Sequence, residues 1–270
     1  MKVKFTKMSG AGNDFVLMDN RQRTLCLDAT QIAELCHRHF GIGADGLLLM
    51  EPPANGKADF RMRYYNSDGG EAEMCGNGAR CFARYARQFI DQESSRISFE
   101  TPAGLISASF ESELVTINMT KPIDIKLNET ITLESGSYGI HSCNTGVPHT
   151  ILFVADVDAA KVEELGREIR YHRNYMPKGT NVNFVQKIED DLIRVRTYER
   201  GVEGETLACG TGIVASAIIA HLVRKAILPL RVKVQGNDIL EVNFKQKGNT
   251  LEEVTLKGPA TFVFEGEVEI

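Results

Sequence analysis

One nine-residue pattern recurs in this chain, and that recurrence constrains the fold more than any local propensity does. Gly70-Glu71-Ala72-Glu73-Met74-Cys75-Gly76-Asn77-Gly78 matches Gly204-Glu205-Thr206-Leu207-Ala208-Cys209-Gly210-Thr211-Gly212, 134 positions further along a chain of 270 residues. Upstream of each copy, an alternating run (Phe60 to Tyr65, Ile193 to Tyr198) predicts a strand, and downstream an apolar run of helical length follows. Two fainter matches keep the same order: Gly12-Asn13-Asp14-Phe15 with Pro148-His149-Thr150-Ile151, and Gly43-Ala44-Asp45 with Gly179-Thr180-Asn181. A duplicated unit of this size predicts two lobes of similar construction, each with strands leading into a helix that begins at a cysteine.

Lys121-Pro122, just after the strand-like Leu114 to Met119, marks the expected boundary. The first lobe is then expected over residues 1–119 and the second over 120–259. The last strand-like run, about 260–270, follows Gly258-Pro259 and is expected to return to the first lobe. The two helices should differ. Ala79, Phe82, Ala83, Ala86, Phe89 and Ile90 share one face of the first, with Arg80, Arg84 and Arg87 on another, so it reads as amphipathic. The second, Ile213 to Val223, is apolar nearly all round and should be buried.

A net charge of -5 with dispersed Lys and Arg argues against a nucleic-acid partner and favours small molecules. The longest apolar stretch, Gly212 to Val223, is too short to span a bilayer and is interrupted by Ser216 and His221, so no membrane partner is expected. The N-terminus lacks the apolar core of a signal peptide, which points to the cytoplasm. Six cysteines without a Cys-x-x-Cys pair suit reduced thiols. Cys26, Cys36, Cys81 and Cys143 read as small core residues.

Cys75 and Cys209 read differently. A thiol that opens a helix lies where main-chain N–H groups and the positive end of the dipole favour its thiolate. Glycine beside it lets a ligand approach the backbone, and the same N–H groups can hold a carboxylate. A pair of such units can run a two-base inversion: one thiolate removes the α-hydrogen of an amino acid, and the other thiol delivers a proton to the opposite face. Neither pyridoxal phosphate nor a metal is needed.

The residues resemble the diaminopimelate epimerase family over most of the chain. The carriers are Lys7-Met8-Ser9-Gly10-Ala11-Gly12-Asn13-Asp14-Phe15, Gly41-Ile42-Gly43-Ala44-Asp45-Gly46, Asn66-Ser67-Asp68-Gly69, Met74-Cys75-Gly76-Asn77-Gly78-Ala79-Arg80-Cys81, Thr145-Gly146-Val147-Pro148-His149, and Tyr198-Glu199-Arg200-Gly201 before the second cysteine motif. The resemblance implies an α/β (α+β) chain of two pseudo-symmetric lobes, each a curved, mainly antiparallel sheet around a central helix, with the active site between them. It also implies a homodimer that interconverts LL- and meso-diaminopimelate for lysine and peptidoglycan precursor synthesis. Carried over by position, Cys75 and Cys209 resemble the acid/base pair, with Gly76-Asn77 and Gly210-Thr211 as the carboxylate cradle. His149 and Glu199 resemble the groups that tune the thiols; Asn13, Asn66 and Asn181 resemble substrate-binding amides. Arg200 resembles the clamp on the distal carboxylate, a task that suits its planar fork. Some members have Gln where Gly46 stands and Asn where Val147 stands, so those two positions can offer only backbone here.

Three alternatives remain from sequence. A proline, hydroxyproline or histidine racemase of the same fold would keep the mechanism; Arg200 and the three Asn residues argue against proline. A zinc module on Cys75, Cys81, His149 and Cys209 lacks the usual ligand spacing. A thiol redox protein would use the two cysteines as a disulfide.

Overall fold

The computed structural model describes residues 1–54, 56–91, 94–248 and 250–270. They form two compact units, Met1–Asn118 with Lys257–Ile270, and Met119–Leu256. In the first, β1 (Lys2–Gly10) and β2 (Asn13–Asp19) form an antiparallel hairpin, and α1 (Ala29–Cys36) carries the chain to β3 (Gly46–Glu51), parallel to β2. Antiparallel β4 (Phe60–Asn66) and short β5 (Glu71–Ala72) lead into α2 (Gly76–Ala86). After α2, β6 (Arg96–Thr101) lies parallel to β4, followed by antiparallel β7 (Gly104–Glu111) and β8 (Leu114–Asn118).

The second unit repeats this order. β9 (Ile123–Leu133), β10 (Gly136–Asn144) and β11 (Pro148–Phe153) are antiparallel neighbours. α3 (Val162–Arg170) crosses to β12 (Asn181–Glu189), parallel to β11; β13 (Leu192–Glu199) and β14 (Gly204–Thr206) lead into α4 (Gly210–Arg224). β15 (Leu230–Lys233) then lies parallel to β13, with β16 (Ile239–Lys247) antiparallel to it. β17 (Thr250–Pro259) leads out of this unit, and β18 (Thr261–Glu269) pairs antiparallel with β1, the place that β9 takes beside β10.

The duplication extends to register. Tyr65 lies opposite Glu71 as Tyr198 lies opposite Glu205, and Phe60 lies beside Phe99 as Ile193 lies beside Val232. It also corrects the two fainter sequence matches. Phe15 pairs with Gly46 where His149 pairs with Asn181. His149 therefore holds the place of Phe15, not of Asn13, and Asn181 that of Gly46, not of Asp45. Loops of unequal length let a sequence alignment slide, whereas ladder hydrogen bonds fix the register.

In each unit, helices cover both faces of the central strands. α1 packs Ile32 and Leu35 on Val16, Met18, Leu47, Leu49 and Tyr65, while α2 lies against β1, β2, β3 and β4. This sandwiching makes β3 buried throughout and apolar from Gly46 to Met50, as a strand covered on both sides must be. In the second unit Val162 and Ile169 of α3 meet Leu152, Val182, Phe184 and Tyr198, and α4 lies against β10, β11, β12 and β13. α1 starts at a reciprocal cap in which Asp28 accepts from Gln31 N at 2.9 Å and Gln31 Oε1 accepts from Asp28 N at 3.0 Å.

α4 is buried through Ala220, as its composition demands. Two side-chain expectations fail. Arg80, expected on a polar face of α2, is fully buried. Its guanidinium folds over the first turn of its own helix, donating to Gly76 O at 3.3 Å, Asn77 Oδ1 at 3.0 Å and Pro259 O at 3.3 Å, which offsets its desolvation. Cys26 is exposed, while Cys36, Cys81 and Cys143 are buried as expected.

A glycine inside α3 tests the close approach of helix and sheet. A Cβ on Gly166 would lie 2.5 Å from Tyr198 Cβ, an atom that no rotamer change can move. Ala normally gains roughly 0.5–1 kcal/mol over Gly in a helix interior, whereas overpacking costs about 1–3 kcal/mol. Gly166→Ala should therefore lower stability by about 1 kcal/mol or more in urea denaturation; a stabilised variant would show that α3 is free to move off the sheet.

Candidate active site

Each cysteine of the duplicated motif occupies the N-cap of a helix. Cys75 has extended backbone (φ -134°, ψ 121°), and its sulfur accepts from Gly78 N at 3.4 Å. A thiol thus takes the position usually filled by a hydroxyl or carboxylate, where negative charge is favoured. Beside it, Asn13 at the start of β2 donates from Nδ2 to Asp45 Oδ2 at 2.6 Å, which fixes its carbonyl towards the helix. That Oδ1 faces Cys75 Sγ at 3.6 Å and accepts from Asn77 Nδ2 at 3.4 Å. An amide oxygen only accepts, so this contact calls for the S–H form of Cys75, while Gly78 N–H favours the thiolate.

Asp14, next in the chain to Asn13, is anchored by Lys7 at 2.8 Å and by Arg38 at 2.8 Å. Burial works against its charge, but the hydrogen bonds and charges of Arg38 and Lys7 prevail and hold its carboxyl well below the usual carboxylate range. Asn66 ends β4, exposed, and accepts from the Tyr64 hydroxyl at 2.8 Å.

In the second unit Cys209 caps α4 (φ -114°, ψ 107°), with its sulfur 3.6 Å from Thr211 Oγ1. Thr211 Oγ1 is in turn 2.9 Å from His149 Nε2. His149 is buried to 1% exposure, and burial, assisted by the positive charge of Arg200, pushes its imidazole down to about 3. It is therefore neutral at physiological pH. Asn181 Oδ1 accepts from Arg200 N at 2.9 Å and its Nδ2 donates to Pro148 O at 3.0 Å, so it ties the turn after β13 to the start of β11. Arg200 Nη1 donates to Lys178 O at 3.3 Å, and Glu199 Oε2 accepts from Thr206 Oγ1 at 2.8 Å.

The sequence-predicted residues thus gather by unit. Cys75, Gly76, Asn77 and Asn13 form one group; Cys209, Gly210, Thr211 and His149 form another, with Asn181, Glu199 and Arg200 on the adjoining turn. Sequence reasoning missed Asp45, which orients Asn13, and Asn183 and Thr197 beneath α4. The available signal for Asn183 was a polar residue inside the otherwise apolar run Val182 to Val185. Cys81, required by the zinc alternative, lies buried against Gly10, and burial pushes its thiol up to about 12, which disfavours the thiolate a metal needs.

The family profile described as diaminopimelate epimerase matches residues 5–124 and 141–263. The diaminopimelate epimerase of Aquifex aeolicus (strain VF5) is 41% identical over 281 residues, covering 98% of this chain and 98% of its own. That of Methanocella arvoryzae is 42% identical over 282 residues, covering 100% of this chain and 98% of its own.

The chain belongs to the diaminopimelate epimerase family.

Among solved structures, a phenazine biosynthesis protein of the PhzF family from Bacillus anthracis superposes with a TM-score of 0.75 at 16% identity, covering 100% of both chains. A hydroxyproline epimerase from Agrobacterium vitis gives 0.73 at 16% identity, covering 99% of this chain and 92% of the other. At such identities the likeness is one of fold. Within the diaminopimelate epimerase family, Gly46 has a local reason. A Cβ there would lie 2.5 Å from Tyr65 O and 2.7 Å from the Tyr64 ring, so Tyr64 fills the room a larger residue would need. Val147 is half-buried, and its carbonyl accepts from Thr145 N at 3.3 Å.

Neutral His149 leaves a mark on stability. Its imidazole titrates near 6.5 when unfolded and near 3 when folded, so between those values the unfolded chain binds more protons. Its contribution is complete above about pH 6.5 and is lost as pH falls towards 3. His149→Gln should flatten the decline of the urea midpoint across that window relative to the parent; an unchanged slope would mean that His149 is charged in the folded protein.

Proposed function

We propose that this protein interconverts LL- and meso-2,6-diaminopimelate by exchanging a proton at one α-carbon between Cys75 and Cys209, without a cofactor. The observation that carries this reading is the pair of helix-capping thiols supplied by two units of the same topology and register. An α-carbanion is costly, so the catalyst must favour the charge that develops on the carboxylate. The first-turn N–H groups at Gly76-Asn77 and Gly210-Thr211 suit that task, because they lack acceptors within their own helices.

In this reading one thiolate takes the hydrogen and the other thiol returns a proton to the opposite face. The roles reverse in the other direction, so acid and base belong to the pair and not to either residue. His149 and Glu199 bias the two thiols, Asn13, Asn66 and Asn181 bind or position the substrate, and Arg200 holds the distal carboxylate. The two units serve as the two lobes of the enzyme, which acts as a homodimer in the cytoplasm and supplies lysine and peptidoglycan precursors.

Incubation of the purified protein with LL-diaminopimelate should yield the meso isomer. Inversion of histidine or proline with diaminopimelate untouched would replace the substrate assignment. Cys75→Ala and Cys209→Ala should each lower kcat by roughly a thousandfold with the far-ultraviolet circular dichroism unchanged, as expected for loss of an acid/base group. Near-full activity in either variant would remove that thiol from the chemistry. Arg200→Lys should raise KM about tenfold with a smaller effect on kcat, because a bidentate contact becomes a point charge; an unchanged KM would move the distal carboxylate elsewhere.

A further inference from the structure

We propose that Asn183 and Thr197 are positioning residues that lock His149 in one tautomer, so that its ring donates through the Thr211 hydroxyl towards the sulfur of Cys209. The inference rests on the reading of Cys209 as a proton carrier and adds what governs its ionisation. Asn183 lies on β12, fully buried, on the face covered by α4. Its Nδ2 is 3.2 Å from Thr150 O and 3.2 Å from His149 Nδ1, and its Oδ1 accepts from Thr197 Oγ1 at 3.0 Å.

Hydrogen-bond parity then leaves one arrangement. Thr150 O is a carbonyl and can only accept, so the amide must turn its NH2 towards it; the flipped amide would oppose two carbonyl oxygens. The second hydrogen of the same NH2 points at His149 Nδ1, which must be the bare, accepting nitrogen. Neutral imidazole carries one proton, so that proton is on Nε2 and goes to Thr211 Oγ1 at 2.9 Å. The Thr211 hydroxyl accepts there and turns its own hydrogen to Cys209 Sγ at 3.6 Å. The chain Thr197–Asn183–His149–Thr211–Cys209 therefore runs as donation in one direction from Asn183 to the sulfur, which stabilises its thiolate.

His149 in this arrangement is a donor and not a base. Accepting the thiol proton would require it to surrender the bond from Asn183 in a site where an unsatisfied amide is expensive. The charge around it opposes the same step. Arg200 acts on the ring as a like charge, Glu199 turns Oε2 to Thr206, and the first turn of α4 carries no acidic side chain. Among its described residues the first unit shows no such relay. The corresponding positions are Phe15, Leu48 and Tyr64, with Phe15 and Tyr64 in edge contact at 6.0 Å between ring centres. A duplicated scaffold thus carries a polar relay under one thiol and an aromatic floor under the other.

The tautomer can be read directly by nitrogen-15 NMR on protein labelled in its histidines, with His149 assigned through His149→Gln. The expected signature at pH 7 is a protonated Nε2 and a bare Nδ1; a protonated Nδ1 would overturn the proposal. Cys209→Ala should leave that signature in place, because the lock lies beneath it. For the consequence, the pH midpoint of iodoacetamide labelling is followed at each cysteine by peptide mass spectrometry. Asn183→Leu should raise the Cys209 midpoint by about one pH unit, a tenfold loss of thiolate below it, with that of Cys75 unmoved. A folded variant with an unshifted Cys209 midpoint would contradict the relay. If Asn183→Leu does not fold, Thr197→Val removes only the anchor and should raise the midpoint by less, in the same direction; no rise would also overturn it. None of these readouts uses a substrate, so they stand or fall apart from the diaminopimelate assignment.

Discussion

A helix N-terminus that begins at a thiol and presses closely on a sheet is the constraint from which the rest of this molecule follows. The thiol is useful only if the first-turn N–H groups and the sulfur are held together, and in the second unit that leaves no room for a side chain at the third helical position. At Gly212 a Cβ would lie 2.4 Å from Asn183 Oδ1 and 3.2 Å from the His149 ring. At Gly78 it would only make ordinary contact, 3.4 Å from the Phe15 ring and 3.5 Å from Cys75 Cβ. Gly212 is thus a place where helix and strand touch, and both glycines give ligands access to the backbone. Covered sheet faces, crossing helices and nearly continuous apolar strands are the framework that holds the two helix starts in place.

The two units solve the same packing problem with different chemistry. Under α2 the strands present the rings of Phe15 and Tyr64, and the Tyr64 hydroxyl is satisfied locally by Asn66 Oδ1 at 2.8 Å. Under α4 they present His149, Asn183 and Thr197, all buried, and each polar group has a partner in the same chain of hydrogen bonds. Buried polar groups are tolerated only when they are satisfied, and a single missing partner costs about 1–3 kcal/mol. The unit that carries the relay is therefore the one in which small substitutions should be felt most. An enzyme that inverts a centre with a pair of thiols needs them in unlike protonation states at any moment. Equal scaffolds with unlike floors offer a physical source for that inequality.

Much of this was legible in the sequence because duplication leaves a signal that survives divergence. The Cys-Gly-x-Gly blocks gave the two helices and their starting residues, and the alternating runs before them correspond to β4 and β13. The apolar composition of α4 announced its burial. The failures have specific causes. Arg80 reads as a surface cation by helical spacing, yet its arms are matched to acceptors at the start of its own helix. The weaker repeats slid by one or two residues, because unequal loops hide the register that ladders impose. Asn183 reads as one polar residue in an apolar strand, and its meaning exists only where β11, β12, β13 and α4 meet.

If two protein groups, one for each face, handle the proton of one carbon, the time course of isotope uptake will show it when LL-diaminopimelate turns over in deuterated water. The inverted product should carry deuterium from the earliest samples while the remaining substrate stays unlabelled, because the proton removed and the proton delivered sit on different sulfurs. Equal early labelling of substrate and product would mean that a single group serves both faces, and would contradict the two-thiol reading.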